Sequence, residues 1–174
     1  MFATQLCIAV GLTLGLSSSH KALVCEVMPS VVEESEKRGL DPVVFSSLIF
    51  HESAFRPRVV SHAGACGLTQ VLPQYSDYTC EQLKRPKIAI KAGTIALKYW
   101  LTRAKGDLEK ALCGYNAGNI CIDKPNSRIS RRVKRRYSRS IFRLAIDFRA
   151  TAKDKLFEDH RFFEKVVDDD DNLD

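Results

Sequence analysis

Residues 41–55 read DPVVFSSLIFHESAF, and the reading of this stretch decides the fold. Asp41 has the side chain of a helix N-cap, and Pro42 suits the first helical position. Phe45, Leu48 and Ile49 recur at helical spacing, and Glu52 follows Ile49 at i+3 on the same face. A carboxylate therefore stands where a core residue is expected. Burial disfavours its charged form, raises its pKa and keeps it partly protonated near neutral pH, as a general acid requires. Read alone, the stretch fits a surface glutamate at a helix end better. The residues downstream change that balance.

The chain has 174 residues, enough for one domain with a real core, and its 28% charged and 45% hydrophobic content is that of an ordinary globular protein. Strand-like alternation is scarce and helical spacing dominates. The expected fold class is mainly α, a single domain with an ordered loop after the Glu52 helix. Residues 6–16, LCIAVGLTLGL, are apolar and are followed by Ser17, Ser18 and Ser19. The run is shorter than the roughly 20 residues of a membrane-spanning helix. It predicts a secretory signal peptide over residues 1–19, hence an exported chain, periplasmic or secreted. Residues 1–5 carry no Lys or Arg, which leaves an uncleaved signal anchor open. Val24-Cys25 is a poor lipoprotein cleavage site.

Six cysteines are present, and Cys7 falls in the apolar run. Cys25, Cys66, Cys80, Cys113 and Cys121 remain, an odd number that suggests two bridges and one spare thiol in an exported protein. Cys113 with Cys121 and Cys66 with Cys80 are attractive local pairs, but spacing does not fix connectivity. No paired CxxC spacing calls for a metal, and no cofactor is implied. The net charge of +6 includes five aspartates at 168, 169, 170, 171 and 174, so the body is more basic than the whole. A basic body suits an anionic polymer such as nucleic acid, a lipid surface or cell wall. The acidic tail is expected to be solvated and disordered.

In chain order, helices are expected over residues 29–38, ended by Gly39, and over 42–53. Residues 55–78 are rich in Gly, Ser and Pro and read as an ordered loop, a natural place for a binding site. A helix over 86–104 would carry Ile88, Ala92, Ile95, Ala96 and Tyr99 on one apolar face. Asp107 caps the next, with Leu108, Ala111, Leu112 and Tyr115 at i, i+3, i+4 and i+7, and Gly118 ends it. A basic helix from Arg128 would bury Ile129, Val133, Tyr137, Ile141, Leu144 and Ala145. The last element runs or breaks near 150–165. The domain is placed at residues 25–150, with 151–174 as a C-terminal extension.

Three motifs occur in order: HESAFRP, SHAGACGLTQVLP and ALCGYNAGN. Together they resemble the lytic transglycosylase family with the lysozyme-like, soluble-lytic-transglycosylase catalytic domain. That family shows a Glu-Ser pair, a Ser…Gly-x-x-Gly-Leu-x-Gln loop and a Tyr-Asn-Ala-Gly motif. The resemblance covers roughly residues 41–137. It implies a lysozyme-like fold and cleavage of the β-1,4 bond between N-acetylmuramic acid and N-acetylglucosamine in peptidoglycan, with a 1,6-anhydromuramic product. Glu52 would serve as the single general acid and base. Ser61 and Gln70 would line the saccharide cleft, and Asn116 would shape it. Tyr115 would bring its hydroxyl to the glutamate; from its spacing alone it is a core residue with a satisfied hydroxyl. Ser53 is a structural partner of the helix end. Gly64 and Gly67 would let the backbone approach the sugar, or are ordinary turn glycines.

Thr69 departs from the family, which commonly has methionine there, and this puts cleft contacts in doubt. Cys66 and Cys113 adjoin the motifs and could staple the loop and the helix. His51 and His62 show no convincing catalytic arrangement. Tyr99 and Trp100 fit core packing better than sugar stacking. Residues 128–139, RISRRVKRRYSR, bounded by Arg128 and Arg139, are a solvated helix face or a contact with anionic wall or membrane. No nucleic-acid partner is expected, and the protein reads as a monomer. A lysozyme-type hydrolase on the same fold and a non-catalytic wall binder remain as alternatives. The N-terminal segment also resembles the signal-anchor-release segments of some phage lysis enzymes, in which Cys7 could exchange with a cysteine of the mature chain.

Overall fold

Residues 42–49 are buried without exception, so the helix that carries Glu52 runs through the middle of the molecule instead of along its surface. This is the arrangement in a computed structural model of the chain, which describes residues 2–156. The acidic tail expected to be disordered lies outside the described residues. The elements in order are α1 (Phe2–Thr13), α2 (Ser18–Glu36), α3 (Pro42–Ser53), a 3-10 turn (Pro73–Tyr75), α4 (Cys80–Leu83), α5 (Pro86–Arg103), α6 (Leu108–Ala117), α7 (Ile120–Asp123), α8 (Arg128–Val133), a π-helical turn (Lys134–Ser138) and α9 (Arg139–Leu156). The mainly α expectation holds, and among the described residues only isolated bridges occur, Val60 with Cys66 and Cys66 with Val71.

α3 begins as its sequence predicts. The Asp41 carboxylate accepts from the N–H groups of Val43 and Val44 at 2.8 and 3.3 Å, and Arg149 of α9 pairs with the same carboxylate. Phe45, Leu48 and Ile49 are fully buried, and α9 packs along α3 with Ile141, Ala145 and Phe148. The helix stops at two consecutive left-handed residues, Ala54 (φ 50°) and Phe55 (φ 57°). Such conformations are costly away from glycine. Full burial of the Phe55 ring and the 2.7 Å bond from the Ala54 N–H to the Phe50 carbonyl hold them in place.

Several expectations need correction. The helix expected at 29–38 starts eleven residues earlier, at Ser18, with Ser17 as its cap and Pro29 inside it. A proline favours a first turn, but an interior one is tolerated where packing outweighs the lost bond. Val24, Val27, Met28 and Val31 are buried along this helix. Apart from these corrections, the apolar run read as a targeting segment lies mostly within α1 in the described chain, where α1 packs on α2 and α9 and buries Leu6, Cys7 and Val10. Among the described residues, no helix is long and apolar enough to cross a membrane.

The cysteine count also resolves differently. Cys66–Cys80 and Cys113–Cys121 are bonded, and the expected spare thiol is absent because Cys25 bonds Cys7. In the helix starting at Arg128, Ile129 is 53% exposed instead of buried.

Candidate active site

Glu52 sits on the last turn of α3. Burial raises its pKa from the ordinary carboxylate range to about 7, against the opposing effect of a hydrogen bond from Tyr137. The Tyr137 hydroxyl donates to Glu52 Oε1. Tyr137 is buried, and burial followed by the nearby Glu52 charge pushes its own pKa well up, so it stays a donor. The π-helical turn at Lys134–Ser138 widens the helix locally and presents this tyrosine to α3. Such turns are often found at functional sites. His51 packs edge-on to the Tyr137 ring with centroids 4.7 Å apart, and burial lowers its pKa. A neutral imidazole there spares Glu52 a neighbouring cation that would pull its pKa down.

The loop after α3 is tied to it by Ser53. Its buried hydroxyl donates towards the carbonyls of Ile49 and Leu68 at 3.1 and 2.8 Å. Gly67 (φ 75°) lies so close to α4 that a Cβ would stand 1.9 Å from the Leu83 carbonyl oxygen. The close approach that requires glycine here is therefore to the protein's own backbone. Gly64 (φ 82°) has open space around it. Ser61 caps the turn between them: its hydroxyl accepts from the Ala65 N–H at 3.0 Å. The Cys66–Cys80 bond holds this loop to α4.

Thr69 makes no cleft contact. It is fully buried, its hydroxyl donates to the Ala89 carbonyl at 2.8 Å, and it fits because residue 93 is glycine. Its carbonyl accepts from the Tyr115 hydroxyl at 2.7 Å. So Tyr115, expected on the glutamate, hydrogen-bonds the loop instead, while Tyr137, read from the sequence only as part of an apolar stripe, bonds Glu52. Tyr115 remains near enough for the Glu52 charge to raise its pKa, after the larger effect of burial. The clue to Tyr137 was slight: it is the one aromatic ring in RISRRVKRRYSR.

Beside Tyr115 opens a cavity of about 900 Å3. Gln70 and Asn116 line it, and Ser61 is not among its lining residues. Gln70 (φ 49°) donates its amide to the carbonyls of Val59 and Gly67 at 3.1 and 2.9 Å. The α5 face carrying Ala92, Ile95, Ala96, Tyr99 and Trp100 also lines it. That face was expected to enter the core; Ala92 is buried, but Ile95 and Tyr99 are 46% and 51% exposed. Trp100 seats flat enough on α6 that a Cβ at Gly114 would come within 2.5 Å of its ring. Arg103 completes this end, donating to the Tyr99 hydroxyl at 3.1 Å and to Asn119 at 3.0 Å. Exposed Tyr75 and half-buried Tyr78 line the cavity as well, with Asp77 the one charged residue of the lining. Aromatic faces with amides between them suit a carbohydrate, whose rings present apolar C–H faces and equatorial polar groups. Among the described residues no group of His, Cys, Asp and Glu could hold a metal ion.

Comparison with known proteins agrees with this fold. The family model described as the Transglycosylase SLT domain matches residues 29–138. Among solved structures, the chain is similar to an inactive mutant of the lytic transglycosylase Slt from Pseudomonas aeruginosa, with a TM-score of 0.61 and 22% sequence identity. The match covers 69% of this chain and 23% of that one, so the present chain corresponds to under a quarter of the Slt chain.

Proposed function

Since this chain belongs to the Transglycosylase SLT domain family, we propose that it is a peptidoglycan lytic transglycosylase with Glu52 as its single acid and base. The observation that carries the reading is a half-buried carboxyl, with a pKa raised to about 7, close to the Tyr115 that lines an aromatic cavity of about 900 Å3. Protonated Glu52 delivers its proton to the glycosidic oxygen between N-acetylmuramic acid and N-acetylglucosamine as the bond to C1 breaks. The carboxylate then takes the proton of the muramic 6-hydroxyl, whose oxygen bonds to C1. No water is consumed, and Glu52 ends protonated. The substrate's N-acetyl group stabilises the intermediate, so the second carboxylate of most glycosidases is not needed. Tyr137 positions the acid, and Gln70 and Asn116 hold the saccharide. Peptidoglycan lies outside the cytoplasmic membrane, and three disulfides fit an oxidising compartment, so the protein acts after export.

Mass spectrometry of purified peptidoglycan digested by the oxidised protein tests this directly. Anhydromuropeptides are expected. Hydrolysed reducing ends would make the enzyme a lysozyme-type hydrolase, a reading favoured only by Asp77, the carboxylate in the cleft lining and hence the candidate base. An absence of products would leave a wall-binding protein.

Two substitutions probe the assignment. Tyr137→Phe removes the hydrogen bond that favours the carboxylate, so the pKa of Glu52 rises further. The pH at which activity is lost on the alkaline side should move upward, and kcat should fall roughly tenfold as the acid loses its fixed position. A pH–rate profile reads both. Tyr99→Ala should raise KM up to about tenfold with kcat nearly kept, since one aromatic face contributes on the order of 1 kcal/mol to ring contacts.

A further inference from the structure

The inner face of the chain from α8 through α9 is accounted for: Ser130, Tyr137, Ile141, Ala145 and Phe148 are buried. The outer face is not. Seven arginines, at 128, 131, 132, 135, 136, 139 and 143, are exposed there. Among the described residues none of the seven has a carboxylate partner; the ion pairs formed by Arg38, Lys84, Arg103, Lys110 and Arg149 lie elsewhere. Arg128 with Arg132 and Arg139 with Arg143 stand one turn apart, where like charges repel. The run keeps this repulsion and uses arginine almost throughout, with Lys134 the one lysine. Guanidinium groups bind phosphate oxygens in pairs, which a lysine ammonium cannot do.

Charge alone would fit any polyphosphate. Two further residues narrow the choice. Ile146 is 62% exposed and shares the face of Arg139 and Arg143, at i+7 and i+3 from them. Ile129 is 53% exposed and adjoins Arg132 in the same way. Large apolar side chains set among cations on an outward helix face fit the boundary between lipid headgroups and acyl chains.

We propose that the outer face of α8 and α9 docks on an anionic phospholipid bilayer, with the arginines on headgroup phosphates and Ile129 and Ile146 at the acyl boundary. Tyr137, on the opposite side of the same helix, bonds Glu52. The acid is then held roughly one helix diameter, about 10 Å, from the docked face. The cleft is left free, because its walls come from α5, α6 and the loop before α4.

The test is co-sedimentation of the full chain with vesicles of phosphatidylglycerol and phosphatidylcholine, and with vesicles of phosphatidylcholine alone. Binding to the first and not the second is expected, weakening with salt. R132A/R139A/R143A should lower the partition coefficient roughly a hundredfold, with the melting temperature and the digestion of soluble glycan fragments kept. Ile146→Ser should weaken binding while leaving its salt dependence unchanged. Equal binding to both vesicles, or an unaffected triple variant, would overturn the proposal. So would capture by a DNA duplex or by polyglycerol phosphate without vesicle binding. Vesicle binding that appears only in D168N/D169N/D170N/D171N would assign the ridge to the chain's own acidic tail, and overturns it equally.

Discussion

Glu52→Gln should abolish glycan cleavage, by at least about a thousandfold, and should make the protein more stable above neutral pH. The first effect follows from the proposed role of a single group as acid and then as base, in which both proton transfers are lost together. The second follows from the sign of the pKa shift. Burial raises Glu52 to about 7 from an ordinary 4.5, so the folded state holds its proton where the unfolded chain has released it. Below pH 4.5 the carboxyl is neutral in both states and carries no penalty. As pH rises towards 7, ionisation favours the unfolded chain, and above 7 the wild type carries a cost of about 3 kcal/mol that glutamine lacks. Thermal melts of the two proteins at pH 4 and pH 8 read this, with the gap expected at pH 8 alone. Equal melting at both pH values would mean that Glu52 is solvated, and the general-acid assignment would lose its basis. The same shift predicts wild-type activity declining as pH rises through about 7, since the protonated form starts the reaction.

Gly67→Ala should lower the melting temperature by about 10 °C, a loss of roughly 3 kcal/mol. Two penalties combine: a left-handed φ of 75°, and a Cβ only 1.9 Å from the Leu83 carbonyl oxygen. Neither atom is the free end of a flexible side chain, so the loop must move away from α4. That movement strains the 2.9 Å bond from the Gly67 N–H to Val59 and the tie between Ser53 and the neighbouring Leu68 carbonyl. Activity should fall with it, because the same loop carries Gln70. Gly64→Ala is the matched control. Its φ is 82° but nothing lies within 4 Å, so only the backbone term applies, about 1 kcal/mol. Equal losses at both positions would show that the loop gives way freely and that contact with α4 is not what fixes it.

These two residues mark what could be read without coordinates. The helix of Glu52, its Asp41 cap and the order of the three motifs are local patterns, and they led to the family and the acid. The disulfides Cys66–Cys80 and Cys113–Cys121 are the local pairs that short spans favoured without fixing. The Glu52–Tyr137 bond joins residues 85 apart, and no spacing rule reaches that far. From periodicity Tyr137 was one apolar position among six; the π-helical turn that directs it to Glu52 appears only in the packed helix.

The faces of the other helices show the same division. Helical spacing established that Ala92, Ile95, Ala96 and Tyr99 share one side of α5, but not what lies opposite. Tertiary packing brought this side of α5 beside the loop before α4 and the end of α6 and left it as a wall of the cleft. Composition established that residues 6–16 are apolar, and packing alone put Cys7 within bonding reach of Cys25 with α1 against α9. The sequence by itself determined the mainly α class, the helix of Glu52 and the family. Only the tertiary structure decided which apolar faces meet one another and which meet a ligand, because burial depends on the neighbour and not on the residue.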